Sequence, residues 1–291
     1  MHPFAYHTPA TLADAIALMQ ADLAHSRYLA GGTDLYLALE HQLADVHTVI
    51  DLKGIAGLDG VGVGPGTAWR IGALTCMAEL ERHPDLRRHF PALCDAAAVV
   101  GGPPIRNRAT LGGNLCNASP AADTATPLLA LGATVAVADA AGERALPIAE
   151  LWRGPRATTL APGAVLTAIG LPAPPPRSGN AFRRLTRAAM DIALVNAAAR
   201  VALDEDGRAE SVVVALGAVA PTVILVAGLE STLAGALLDE DALDEVRSQA
   251  EAAARPIDDV RASAAYRSEM AGVLAARAVQ AAAAMARGGA S

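Results

Sequence analysis

With 291 residues, 53% of them hydrophobic, the chain can bury one large core or two modest ones, and its length favours two domains. Aromatic residues make up only 3%, so much of the apolar fraction is alanine, and no stretch reaches the ~20 apolar residues of a membrane-spanning helix. A net charge of -7 and a pI of about 5.5 leave no broad basic face, so neither nucleic acid nor a membrane is an expected partner.

The amino-terminal residues carry neither the basic patch nor the apolar run of a secretory signal, so the expected location is cytoplasmic. Cys76, Cys94 and Cys116 lie far apart without a Cys-x-x-Cys, which excludes a disulfide framework or a four-thiolate cluster and leaves buried thiols as the expectation. All seven histidines precede residue 90 without metal-ligand spacing, so no metal site is expected.

In chain order, Thr11 ahead of Leu12, Ile16 and Met19 predicts a capped amphipathic helix. A short strand, Tyr28-Leu29-Ala30, leads through Gly31-Gly32 into a second helix opened by Thr33-Asp34-Leu35, with Leu35, Leu39 and Leu43 recurring on one side. Val49-Ile50-Asp51-Leu52 and Trp69-Arg70-Ile71-Gly72-Ala73 read as strands. The glycine-studded connection over residues 60–66 has the wrong spacing for a dinucleotide fingerprint and reads as a hairpin loop. Helices are expected over residues 77–82 and 86–98, then a non-helical loop at Gly101-Gly102-Pro103-Pro104.

The apolar run over residues 124–138 suggests a buried helix followed by a strand. Four prolines among residues 172–176 mark a domain boundary. Beyond it, residues 197–203, the Asp204-Glu205-Asp206-Gly207 turn and residues 212–216 predict an antiparallel hairpin packed on one side, covered by helices over residues 241–254 and 262–285.

Thr110-Leu111-Gly112-Gly113-Asn114, followed by Asn117-Ala118-Ser119-Pro120-Ala121-Ala122-Asp123, combines a Gly-Gly turn with short polar side chains. Glycine amides can approach phosphate oxygens closely, and Thr110 and Asn114 add donors without formal charge. Ser119-Pro120 is similar to an N-cap with proline at the first helical position.

In their order and separation, Ala30-Gly31-Gly32-Thr33-Asp34 and Thr110-Leu111-Gly112-Gly113-Asn114 resemble the two flavin motifs of the FAD-binding medium subunits of molybdenum hydroxylases. That family contains carbon monoxide dehydrogenase and xanthine dehydrogenase. The resemblance continues through Pro103-Pro104-Ile105-Arg106-Asn107, residues 161–169 and Phe182-Arg183-Arg184-Leu185-Thr186-Arg187, and it covers nearly the whole chain.

This resemblance implies an α+β fold: a two-subdomain, PCMH-type FAD-binding domain over residues 1–175, divided into about 1–55 and 56–175, then a C-terminal domain over 176–291 with a three-stranded antiparallel sheet and helices. It implies that Ala30, Gly31, Gly32, Thr33, Asp34, Thr110, Gly113 and Asn114 contact the FAD diphosphate and the adjoining ribityl or ribose groups. Asp123 matches the family's aspartate. Repulsion from a diphosphate makes hydroxyl recognition the sensible role there, with a helix-start aspartate as the alternative. Leu166 matches an apolar contact to the flavin or adenine and equally suits a strand core. Arg184 stands where many relatives carry lysine near the flavin, which changes donor geometry; a surface arginine is the alternative.

The implied partners are a molybdopterin-containing large subunit and an iron-sulfur small subunit, with an external electron acceptor. No catalytic side chain is expected, and the chain has too few cysteines for the extra cluster of some relatives. Two rivals are a self-sufficient, non-covalent FAD oxidoreductase and a cofactor-free scaffold or assembly subunit. Thr33 stands where covalent flavoproteins of the wider fold often carry histidine.

Overall fold

Thr11 accepts the Asp14 amide on its hydroxyl, as the sequence predicts, and such a cap stabilises the start of α1 (Leu12–Ala21) by about 1 kcal/mol. This computed structural model describes residues 3–63 and 69–288. Strands β1 (Ala5–His7), β2 (Ser26–Leu29) and β3 (Thr48–Asp51) form a parallel sheet in the order β1-β3-β2, with α2 (Thr33–Glu40) between β2 and β3. Ile16 and Met19 of α1 pack with Ile50 and Leu52 into a small core. Helix α2 buries none of its side chains fully, and it ends before Leu43, which is exposed.

β4 (Val61–Val63) and β5 (Trp69–Gly72) pair antiparallel, as a hairpin requires. Residues 61–63 of the expected hairpin loop over 60–66 are instead strand β4, and its residues 64–66 lie outside the described residues. Helix α3 (Met77–Arg82) follows, and the single helix expected over residues 86–98 is instead two, α4 (Pro84–His89) and α5 (Pro91–Ala98). Pro91 has no amide hydrogen to continue α4, whereas a first-turn position tolerates it. The same physics corrects the expected loop at Pro103-Pro104. These prolines open a short helix, α6 (Pro103–Arg106), where no intrahelical amide bond is needed.

Next come α7 (Leu111–Cys116), α8 (Ala125–Ala130), β6 (Thr134–Asp139), β7 (Gly142–Pro147), β8 (Trp152–Gly154), β9 (Ala157–Thr158) and β10 (Val165–Leu171). A five-stranded antiparallel sheet runs β4-β5-β10-β6-β7. All six residues of α8 are buried, so the run over residues 124–138 is the buried helix and strand expected of it.

The last sheet orders β11 (Ser178–Leu185), β12 (Val195–Leu203), β13 (Ala209–Gly217) and β14 (Ile224–Leu225). It holds the three expected long strands, and the two-residue β14 extends one edge. Helices α9 (Leu229–Leu233), α10 (Glu240–Ala253) and α11 (Ala264–Gly288) complete the chain.

The hairpin is packed on both faces rather than one. α11 contacts β11 and β12, and α8 contacts β12 and β13. Small side chains permit this: Ala198 and Ala215 join the α8 side of the core, while Ala197, Ala199 and Val214 join the α11 side. A Cβ at Gly179 would lie 2.1 Å from the Ala282 carbonyl oxygen, so the long helix rests on strand backbone.

Among the described residues no helix is long and apolar enough to cross a membrane. Cys94 is buried as expected, but Cys76 is only partly buried and Cys116 is exposed.

Candidate functional site

The two glycine motifs meet through their backbones. At the end of β2 the chain turns at Gly32, whose φ of 82° is left-handed, and enters α2 without a side-chain cap. Gly31 fits so closely that a Cβ there would lie 2.0 Å from the Arg108 carbonyl oxygen and 3.1 Å from the Ala109 Cα.

Gly112 and Gly113 do not form the expected turn. They lie in the first turns of α7, capped by Thr110, whose hydroxyl accepts the Gly113 amide at 3.2 Å. Gly112 is needed for packing: a Cβ would lie 2.7 Å from the Ala73 Cβ, and the Gly112 amide donates to the Ala73 carbonyl at 2.7 Å. A Cβ at Gly113 would crowd the Thr110 hydroxyl at 2.8 Å. Sequence alone cannot separate a glycine turn from a glycine-bearing helix start when the closely packed neighbour is remote.

Amide availability differs accordingly. Leu111 and Gly112 donate to Thr75 and Ala73, and Gly113 donates to Thr110, so the amides opening α7 are already engaged. The amides of Gly31, Gly32, Thr33 and Asp34 have no acceptor among the described residues. They lie at the positive end of α2, where an anion is favoured electrostatically. Asn117 Nδ2 donates to Asp34 Oδ1 at 3.2 Å and ties the motifs together. Thr124 donates to Asn114 Oδ1 at 2.7 Å, which fixes that amide and leaves its Nδ2 as a donor.

No helix begins at Ser119-Pro120. Ser119 instead makes a turn, accepting the Ala121 amide at 3.3 Å, and α8 starts at Ala125 after Thr124. Asp123 therefore does not cap a helix. Its Oδ1 accepts from Arg184 Nε at 3.0 Å and from Asn196 Nδ2 at 2.9 Å.

With side-chain exposures of 11% for Arg184 and 8% for Asp123, the pair is largely desolvated, and the surface-arginine alternative is corrected. Arg184 also donates to the carbonyls of Ala189 and Asp191. Burial pushes the Asp123 carboxyl up to about 6, against the lowering influence of the Arg184 charge and the two hydrogen bonds.

Asn196 was not anticipated. Its Oδ1 accepts from Thr126 at 2.7 Å, so it joins α8 to the aspartate. A Cβ at Gly217, its cross-strand partner, would lie 2.2 Å from that oxygen, so glycine makes room for the network. The available signal was a lone asparagine in the apolar run Ala193-Leu194-Val195-Asn196-Ala197, since a buried amide requires partners.

All eleven residues singled out from sequence line one cleft of about 960 Å³: Ala30, Gly31, Gly32, Thr33, Asp34, Thr110, Gly113, Asn114, Asp123, Leu166 and Arg184. Leu166 is both alternatives at once, because it belongs to the core while facing the cleft beside a register shift in β10. Tyr28 also lines the cleft and donates to the Gly163 carbonyl at 2.8 Å; burial pushes its hydroxyl up to about 12. A separate hollow of about 440 Å³ is bordered by Cys76, Glu79, Arg82, His83 and Asn107 and contains none of these eleven residues.

The family described as FAD binding domain in molybdopterin dehydrogenase matches residues 2–174, and the CO dehydrogenase flavoprotein C-terminal domain matches residues 180–282. The chain belongs to this molybdenum hydroxylase flavoprotein family.

Among curated relatives of this flavoprotein, the xanthine dehydrogenase FAD-binding subunit of Escherichia coli is 36% identical over 264 residues, 90% of each chain. The carbon monoxide dehydrogenase medium chain of Afipia carboxidovorans is 34% identical and covers 98% of each. Among solved structures, carbon monoxide dehydrogenase from Hydrogenophaga pseudoflava superposes with a TM-score of 0.93 at 29% identity, covering 98% of each chain. The flavoprotein is thus an oxidoreductase subunit with an FAD-binding domain, and its α+β architecture is that of the matched structures.

Proposed function

We propose that the chain carries FAD in the 960 Å³ cleft and relays electrons, within a heteromeric molybdenum hydroxylase, from partner iron-sulfur clusters to an external acceptor. The observation that carries the cofactor assignment is the set of four amides at Gly31, Gly32, Thr33 and Asp34 without internal acceptors, which suits a diphosphate. Asn114 Nδ2 and the Thr110 hydroxyl would hold the adjoining polar groups. Leu166 would pack against a ring, and the division at residues 172–176 would separate this domain from the next. The Asp123–Arg184 pair reaches the same cleft from the turn before α8 and from β11, and is assigned to ring orientation and electrostatic tuning.

When bound, FAD supplies one- and two-electron redox chemistry that side chains lack, so no nucleophile or general base is required of this chain. The partners are assigned as a molybdopterin-containing large subunit and an iron-sulfur small subunit, acting in the cytoplasm. Leu37, Ile105, Met190 and Ile192 support this reading, because they line the cleft yet remain exposed, leaving an apolar rim for a partner to cover.

Tagged chain purified from its native cells tests the assignment through molybdenum, iron and flavin contents. Co-purification of all three in fixed ratio is expected. A flavin-loaded chain free of both metals that oxidises substrate by itself would contradict it.

A further inference from the structure

His25 and His47 are distant in sequence but adjacent in space, because they precede Ser26 and Thr48, which pair in the parallel register of β2 and β3. The His47 amide donates to the His25 carbonyl at 2.8 Å, and the two rings stack with centroids 4.5 Å apart and planes within 11°. Carboxylates flank both edges of the stack. Asp22 places its two oxygens 2.9 and 3.1 Å from His25 Nδ1, whereas Asp45 approaches His47 Nε2 at 3.2 Å and His25 Nε2 at 3.8 Å. Asp22, His25 and His47 each offer a ligand atom within 4.8 Å of the others. Sequence spacing concealed this cluster, since strand pairing rather than one helix or loop assembles it.

We infer that His25, His47 and Asp45 form a binding site for a divalent transition-metal ion such as Zn2+, with Asp22 holding His25 in the ligating orientation. Two imidazoles and a carboxylate are a ligand set that zinc accepts, with a fourth position left for water. The two groups of carboxylate contacts divide the roles. Asp22 engages His25 Nδ1 with both oxygens and also accepts the His25 amide, so it fixes the tautomer with the proton on Nδ1 and leaves the Nε2 lone pair free. Asp45 faces the Nε2 atoms of both rings, which places its carboxylate to join them on a cation.

Stacked rings must rotate for their Nε2 atoms to converge on one ion. With side-chain exposures of 38% and 59%, His25 and His47 have room to do so. The bound ion would join the turn after α1 to the loop before β3, bracing the sheet whose strand β2 leads into Gly31. This site is separate from the proposed flavin cleft, which none of its four residues lines.

The test is calorimetric titration of the EDTA-treated full chain with ZnCl2, beside the H25A/H47A, D45A and D22N variants, with circular dichroism to establish that each variant is folded. One saturable Zn2+ site per chain is expected. It should be absent from H25A/H47A and about tenfold weaker in D22N, the size typical of an outer-sphere partner. Zn2+ should raise the melting temperature of the parent and leave that of H25A/H47A unchanged. No saturable Zn2+ binding by the parent, or equal binding by H25A/H47A, would overturn the site. A smaller loss in D45A than in D22N would overturn the assignment of Asp45 as the ligand.

Discussion

Gly31 lies against the Arg108 carbonyl, with 2.0 Å between that oxygen and the position a Cβ would occupy. The first glycine motif thereby packs against the backbone just ahead of the second, and both motifs line the cleft. Gly31→Ala must push two backbones apart, and overpacking of this kind costs at least ~1–3 kcal/mol. The variant should melt at lower temperature and retain less FAD. Unchanged retention would detach the cradle from this contact.

The Asp123 and Arg184 pair joins the turn before α8 to β11 in a largely desolvated setting. Arg184→Met leaves a buried carboxylate without its cation, a change that typically costs about 3–5 kcal/mol. Chemical denaturation should show the loss, and Asp123→Asn in the Arg184→Met background should recover part of it. Independent, additive effects of the two substitutions would argue that the pair does not act as a unit.

Asp123 also has a pH signature. Its carboxyl stands at about 6 in the folded chain against an ordinary 3.8, so the folded state holds the proton more tightly than the unfolded one. The contribution of this group is therefore fully present below about pH 3.8 and is lost as pH rises through about 6. Asp123→Asn lacks that loss, so the stability difference between variant and parent should shift in the variant's favour across this interval. Urea midpoints at several pH values measure it, and a constant difference would contradict a raised carboxyl.

Gly217 lies beneath Asn196 and leaves room for its amide. Gly217→Ala should displace Asn196, weaken its bonds to Asp123 and Thr126, and cost about 1–3 kcal/mol through unsatisfied buried groups. Weaker FAD retention should accompany it if the network orients the cofactor. A loss of stability with unchanged flavin affinity would limit the network to a structural role.

The cleft was legible in sequence to the extent that its chemistry is local. Both motifs announced short polar and glycine residues, and the eight residues named within them line one cavity together with Asp123, Leu166 and Arg184, which the family resemblance supplied. The reasons behind those residues were less legible. Gly112 is set by Ala73 and Gly31 by Arg108, neighbours that only the fold supplies. Pro103-Pro104 read as a helix breaker because its meaning depends on whether a helix begins or continues there. Asn196 and the His25–His47 stack depend on strand register, which hydrophobic pattern alone does not fix across long separations.

The most direct test of the account is to incubate the purified chain with excess FAD or, separately, FMN, remove unbound flavin, and measure the flavin-to-protein ratio from the visible spectrum. A cradle whose free amides at residues 31–34 hold a diphosphate predicts nearly one FAD per chain and little FMN. Equal retention of FMN and FAD, or no FAD even when the chain is isolated with its partner subunits, would contradict it.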